Sequence, residues 1–229
     1  MMLYLALPLT ILCYWLSRKL YQRFPLPIMN PLLISMLVLM SLLHFGHFPL
    51  NDFESGTWVI NWLLKPAVVA LALPLYQQVI HIKHKIKPIL ICCSLSVVIS
   101  ILTSMVICRS LGIEEQITRS IATRSITTPL AMSVSESLGG IPSIAAAVVV
   151  IVGIFGAIIG FPLLKVFGVT DPQAQGLAIG ACSHAVGTSA ANERGVTQGA
   201  FSSLALVVCG ILTALIAPLM FAIYGLFIQ

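Results

Sequence analysis

The sequence predicts an all-α, polytopic integral membrane protein with about seven or eight membrane-embedded segments, because a crossing helix needs roughly 20 mostly apolar residues. Three observations carry this expectation. Of 229 residues, 59% are hydrophobic and 8% charged, against about 45–50% and about 25% in soluble domains. The charged inventory is 12 Lys+Arg and 7 Asp+Glu, too little to cover a soluble surface. Those charges fall in short clusters between apolar runs.

The net charge of +5 would point to nucleic acid if the basic residues striped a soluble domain. Their position between apolar runs is accounted for by membrane topology, so no nucleic-acid partner is expected. Cys13, Cys92, Cys93, Cys108, Cys182 and Cys209 lie in or beside apolar segments and read as reduced packing residues. Arg18 and Lys19 follow the first apolar run instead of preceding it, the reverse of a cleaved signal's charge order.

The elements follow in order. Leu3–Leu16 is apolar and ends at Arg18, Lys19 and Arg23; a second run extends from about Pro27 to Phe45. A polar loop with His44, His47, Asp52 and Glu54 leads into a third run, about Trp58–Ile80, which closes on Lys83, Lys85 and Lys87. Pro88–Cys108 is the fourth, followed by Arg109, Glu114, Glu115 and Arg119. The basic clusters occupy alternate loops, which by the positive-inside rule places them in the cytoplasm and the amino terminus outside. Attraction of these loops to anionic lipid is compatible with the same sidedness.

The second half is patterned differently. Ile121–Leu138 is interrupted by Arg124, Thr127-Thr128-Pro129 and Ser133, Ser135, Glu136 and Ser137, and precedes the long apolar run Ile141–Leu164. Gly176–Ala191 mixes glycines with Ser183, His184, Thr188 and Ser189, and precedes a second long run, Phe201–Phe227. Val148–Ile154 with Pro162-Leu163 echoes Ala205–Ile211 with Pro218-Leu219. Broken hydrophobic segments at corresponding positions are a pointer to a transporter's binding site. Two halves are therefore expected: an N-terminal scaffold, residues 1–108, and a transport-like half, residues 114–229, whose two broken helices cross the membrane or re-enter it.

Pro129 removes a backbone donor and opens the chain around Thr127 and Thr128, where amides and hydroxyls can hold an anion; the alternative is a Pro-kinked helix with its hydroxyls bonded back to its own turn. Glu136 and His184 are ionisable residues, one in each broken segment, and a charge within the bilayer costs about 2.5–3.5 kcal/mol. Glu136 is a candidate for coupling, with a helix-capping role as the alternative. His184, with Ser183 and Thr188, is a candidate substrate contact or proton carrier, with donation to a backbone carbonyl as the alternative. Arg124 offers bidentate geometry to a carboxylate; its alternative is an interfacial anchor beside Arg119. His81-x-x-His84 lacks acidic or thiol neighbours, so no metal is expected. The chain has no P-loop spacing and no hydrolase-like order of nucleophile and base, so neither a cofactor nor an enzyme is expected.

The sequence resembles the CidB/LrgB family along essentially its whole length. The resemblance rests on Pro66–Ala72 with Pro74-Leu75-Tyr76, Ser125–Pro129, Gly139–Pro142, Ser183–Thr188 and Gly199–Ala205, in that order. It implies a bacterial inner-membrane protein described as a holin- or antiholin-like modulator of murein hydrolase activity and autolysis, paired with a small LrgA/CidA-type membrane protein. Relatives in plastids and bacteria imply movement of small monocarboxylates of the pyruvate, glycolate or glycerate class. A partner of the LrgA/CidA type is expected on a separate polypeptide, with a homo-oligomer as the expected assembly. The combined reading is a secondary transporter using Thr127, Thr128, Ser183, His184 and Thr188, with Glu136 for coupling and Arg124 in a secondary role; the alternative is the holin/antiholin-like modulator.

Overall fold

The computed structural model describes residues 2–24, 29, 31–70 and 85–226, and all regular structure among them is helical. The chain separates into two compact units, Met1–Val69 and Ala70–Gln229.

The first unit contains α1 (Met2–Arg23), α2 (Pro31–Phe45), α3 (Leu50–Gly56) and α4 (Trp58–Ala70), the last residue of α4 belonging to the second unit. Helix α1 packs on α2 and α3. Its hydroxyls bond back into the helix, Thr10 donating to the carbonyl of Ala6 and Ser17 to that of Cys13; this satisfies polar groups that lipid cannot. Lys19 lies 3.8 Å from the centre of the Trp15 ring, a cation–π pair that suits an interfacial end. The acidic stretch read as a loop folds in part into α3. Pro49, with φ −62°, sets its entry and Asp52 lies in its first turn, so fixed φ and helix dipole both favour starting there.

The second unit contains α5 (Ile86–Ser110), α6 (Glu115–Ile121), α7 (Thr128–Ser137), α8 (Pro142–Val166), α9 (Pro172–Arg194) and α10 (Val196–Leu226). Helices α5, α8 and α10 are each long and apolar enough to cross a membrane, and Leu33–Phe45 within α2 is a shorter apolar stretch. At 25, 25 and 31 residues, and about 1.5 Å per residue, they exceed the hydrocarbon thickness of about 30 Å.

On α5 the buried positions Ile89, Cys93, Val97, Ile101 and Met105 recur every fourth residue, while Ile91, Leu95, Ile99 and Leu102 are exposed. Such a ridge packs into a neighbouring helix and leaves an apolar face for lipid. Its partner is α10, whose Leu204, Ala205 and Cys209 share the same core. The packing boundary thus falls at Val69/Ala70, earlier than the expected division of roles at 108/114, and α5 joins the core of the C-terminal helices.

The most extensive packing is between α9 and α10, followed by α8 with α9. Pro172 opens α9, and Asp171 caps it by accepting from the amide of Ala174 at 2.8 Å. Each of the long helices α8 and α10 follows an interrupted segment. Before α8 stand the short helices α6 and α7 with residues 122–127 between them; before α10 stands α9, which breaks at His184.

Candidate functional site: a broken helix and an arginine-lined cavity

His184 has φ 41° and ψ −136°, backbone space that residues with a Cβ rarely occupy and that costs of order 1–3 kcal/mol. Its surroundings hold it there. Its Nε2 donates to the carbonyl of Val149 on α8 at 2.7 Å; a carbonyl cannot donate, so the ring proton resides on Nε2. A carbonyl has two lone pairs, so α8 can offer one without opening its own ladder. Thr188 donates to the carbonyl of His184 at 2.8 Å and shares a 2.8 Å hydrogen bond with Ser202 of α10.

Glycines make room for this joint. A Cβ on Gly153 would overlap the imidazole Cε1 and stand 2.7 Å from Nε2, and one on Gly156 would overlap the Ser183 hydroxyl. On the opposite side, a Cβ on Gly180 would come within 2.8 Å of the Ser202 backbone. The glycine-rich composition of this stretch therefore serves close approach of α9 to both long helices.

At the first break, Thr127 occupies the N-cap position of α7 without making a cap bond, and its Oγ1 is buried with no hydrogen-bond partner among the described residues. Thr128 begins the helix and is half-buried. The loop beneath is well tied: Ser120 accepts from the amide of Ile141 at 2.7 Å, and Thr123 donates to the carbonyl of Ser120 at 2.9 Å. Arg119 is fully engaged, pairing with Glu115 at 2.6 Å and donating to the carbonyl of Leu138 at the end of α7, also at 2.6 Å. Glu136 is exposed on α7.

A cavity of about 670 Å³ lies between α5, the loop before α7, α8 and α9. Arg124 lines it, together with the hydroxyls of Ser96, Ser100, Thr103 and Ser125 and the thiols of Cys92 and Cys182. Ser100 and Ser125 share a 2.7 Å hydrogen bond that ties α5 to the loop. Beside it, a groove of about 390 Å³ runs along α8 and α9, with Ser183 in its wall. The two spaces share Val152, Ala178 and Cys182.

The candidate residues are therefore distributed. Arg124 and Ser183 line the cavity and the adjoining groove, His184 and Thr188 make the interior hydrogen bonds of the joint, and the Thr127 hydroxyl is buried at the α7 start. Reasoning on the sequence passed over Ser96, Ser100 and Thr103. Their signal was present: positions spaced by four and three put three hydroxyls on one face of an otherwise apolar helix. Cys13, Cys93, Cys108 and Cys209 are buried as expected, whereas Cys92 and Cys182 are exposed. His81 to His84 lie outside the described residues, and no cluster of metal-ligating side chains occurs among the described ones.

Helices long and apolar enough to span a membrane, packed around a broken helix and a largely apolar cavity with one arginine in its wall, define the class: a membrane protein with an interrupted-helix core. The model of the LrgB-like family matches residues 10–223, and the chain belongs to that family. An uncharacterized protein of Haemophilus influenzae is 37% identical over 99% of this chain and 98% of its own. Protein YxaC of Bacillus subtilis is 37% identical over 92% of each chain. The antiholin-like protein LrgB of Bacillus cereus is 31% identical over 86% of this chain and 85% of its own. No solved structure matches.

Proposed function

We propose that this chain is an antiholin-like membrane protein of the LrgB type, which restrains autolysis by governing what crosses the cytoplasmic membrane and catalyses no reaction. The observation that carries this reading is likeness to the Bacillus cereus antiholin-like proteins along 86% of the chain. In this reading it lies in the inner membrane with about seven or eight embedded segments, the length of each set by hydrocarbon thickness. Its amino terminus is outside, and it works as a homo-oligomer beside an LrgA/CidA-type partner. The test is deletion and overexpression in the native host, followed by detergent-induced lysis and murein hydrolase zymography. Deletion should hasten lysis and overexpression delay it. Lysis curves indifferent to both would remove the reading.

A second reading is favoured by the break at His184 and the cavity beside it. Here the protein is a secondary transporter of a small monocarboxylate of the pyruvate, glycolate or glycerate class. Thr127, Thr128, Ser183, His184 and Thr188 contact the substrate, with Glu136 as the coupling group. Purified protein in liposomes should then show saturable uptake of labelled pyruvate or glycolate. Unsaturable leakage of unrelated solutes would exclude this and favour a holin-like pore.

A further inference from the structure

We infer that the second unit carries two re-entrant hairpins, residues 115–141 and 172–195, which enter the membrane from opposite sides and meet near its middle as opposed lids on one cavity. The hairpins follow from contacts alone; their use as lids rests on the transport reading.

Helix α9 does not run straight through His184. A Cβ on Gly187 would stand 3.3 Å from the carbonyl oxygen of Ile179, whereas eight residues along a straight helix span about 12 Å. Ile179 and Ala191 share a buried cluster with Phe161, although a straight helix would hold them about 18 Å apart. The contacts with α10 give the direction. Gly176 meets Gln198 and Gly180 meets Ser202, so the first arm runs with α10. Thr188 bonds Ser202 and Asn192 lies against Gly199, so the second arm runs against it. The chain turns back on itself at His184, and both ends of α9 lie at the start of α10.

The segment before α8 does the same from the other end. Arg119 donates to the carbonyl of Leu138 at 2.6 Å, and Ser120 accepts from the amide of Ile141 at 2.7 Å, so the stretch between them goes out and returns. Its turn carries Ser125, bonded to Ser100 within α5, and Leu130, against Gly210 in the middle of α10. Its base lies near the end of α10, where the Arg119 guanidinium is 5.9 Å from the Phe221 ring centre. Gly199 and Phe221 thus mark the two bases, about 33 Å apart along α10, close to the hydrocarbon thickness of about 30 Å. The 10 residues of α7 rise about 15 Å, half of that depth. Helix α8 runs from the first base to the second and α10 runs back, so the two hairpin-and-helix units are inverted copies. The cavity takes Arg124 and Ser125 from one hairpin and Ala178 and Cys182 from the other. Withdrawing either hairpin would open it to one side only.

Single cysteines in a cysteine-free background test the topology in sealed vesicles of known orientation, with an impermeant maleimide. Thr170→Cys and Val196→Cys, at exposed positions flanking α9, should label from the same side. Leu111→Cys and Ser137→Cys, also exposed, should both label from the opposite side. Labelling of Thr170→Cys and Val196→Cys from opposite sides would make α9 a crossing helix and overturn the proposal. A second measurement needs no membrane: in the purified full chain, Ile179→Cys and Ala191→Cys should be joined by a short bis-maleimide, which a straight α9 forbids. The lid role is tested by pinning the second hairpin to α8, where the Arg194 guanidinium lies 4.9 Å from the Phe161 ring centre. Phe161→Cys with Arg194→Cys, oxidised to a disulfide, should lose uptake of labelled pyruvate in liposomes and regain it on reduction. Uptake indifferent to the cross-link would overturn the lids. Absence of saturable uptake by the unmodified protein would instead remove the transport reading and leave the hairpins standing.

Discussion

At His184 a residue with a Cβ holds a backbone conformation better suited to glycine, because its ring is bonded to Val149 and its carbonyl to Thr188. Two effects oppose each other there, strain of order 1–3 kcal/mol and hydrogen bonding of about 0.5–1.5 kcal/mol per bond. They can be separated. His184→Ala keeps the strain and loses the ring bond; His184→Gly loses the bond and relieves the strain. The glycine variant should therefore be the more thermostable of the two in detergent, by about 1 kcal/mol. Equal melting temperatures would show that the joint is not strained. The break was legible in the sequence from the cluster of Ser183, His184, Gly187 and Thr188, but its location at one residue was not. Positive φ at a histidine depends on the groove that Gly153 provides 31 positions earlier, and no local pattern encodes that.

Among the helices, α9 and α10 are held closest, with Gly180 against the backbone around Ser202. Backbone cannot swing aside as a side chain can, so a methyl group at Gly180 must part the helices. Overpacking of this kind costs about 1–3 kcal/mol. Gly180→Ala should lower the melting temperature of the purified protein. Gly225→Ala, near the end of α10 with open space around it, should leave it unchanged or raise it slightly. Similar losses in both would mean that close approach at Gly180 is not what matters. The long helices were legible because apolar length alone identifies them. Helix α3 was not, because Asp52 and Glu54 suggested a loop and only the phase set by Pro49 makes a helix of them. Nor was the cavity wall on α5, where Ser96, Ser100 and Thr103 were hidden in a run that hydropathy reads as uniform.

For the whole molecule, the basic clusters make a prediction about sidedness. In a cysteine-free background, Asp52→Cys should react with an impermeant maleimide in intact spheroplasts, and Lys87→Cys only after the membrane is opened. Reaction of Lys87→Cys in sealed spheroplasts would invert the proposed orientation. Composition sufficed to read the molecule as membrane-embedded, because so few charges leave no alternative. It did not place α5, whose buried ridge of every fourth residue packs with α10 in the second unit. Which neighbour a ridge meets is decided by complementary shape, and hydropathy carries no record of it.

The hydroxyl pair that joins α9 to α10 has a direction. Thr188 owns one hydroxyl hydrogen, and it is committed to the carbonyl of His184; the hydrogen between Thr188 and Ser202 must then come from Ser202. The string has a head and a middle, and damage to each differs. Cutting the head, with Ser202→Ala, leaves every remaining donor matched and strands no carbonyl. Cutting the middle, with Thr188→Val, strands the fully buried Ser202 hydroxyl, at about 1–3 kcal/mol for the orphan. Two substitutions that erase the same contact should thus have unequal effects, the threonine variant unfolding at the lower temperature. The asymmetry belongs to the order in which hydrogens are handed along, a property that a list of contacts does not contain.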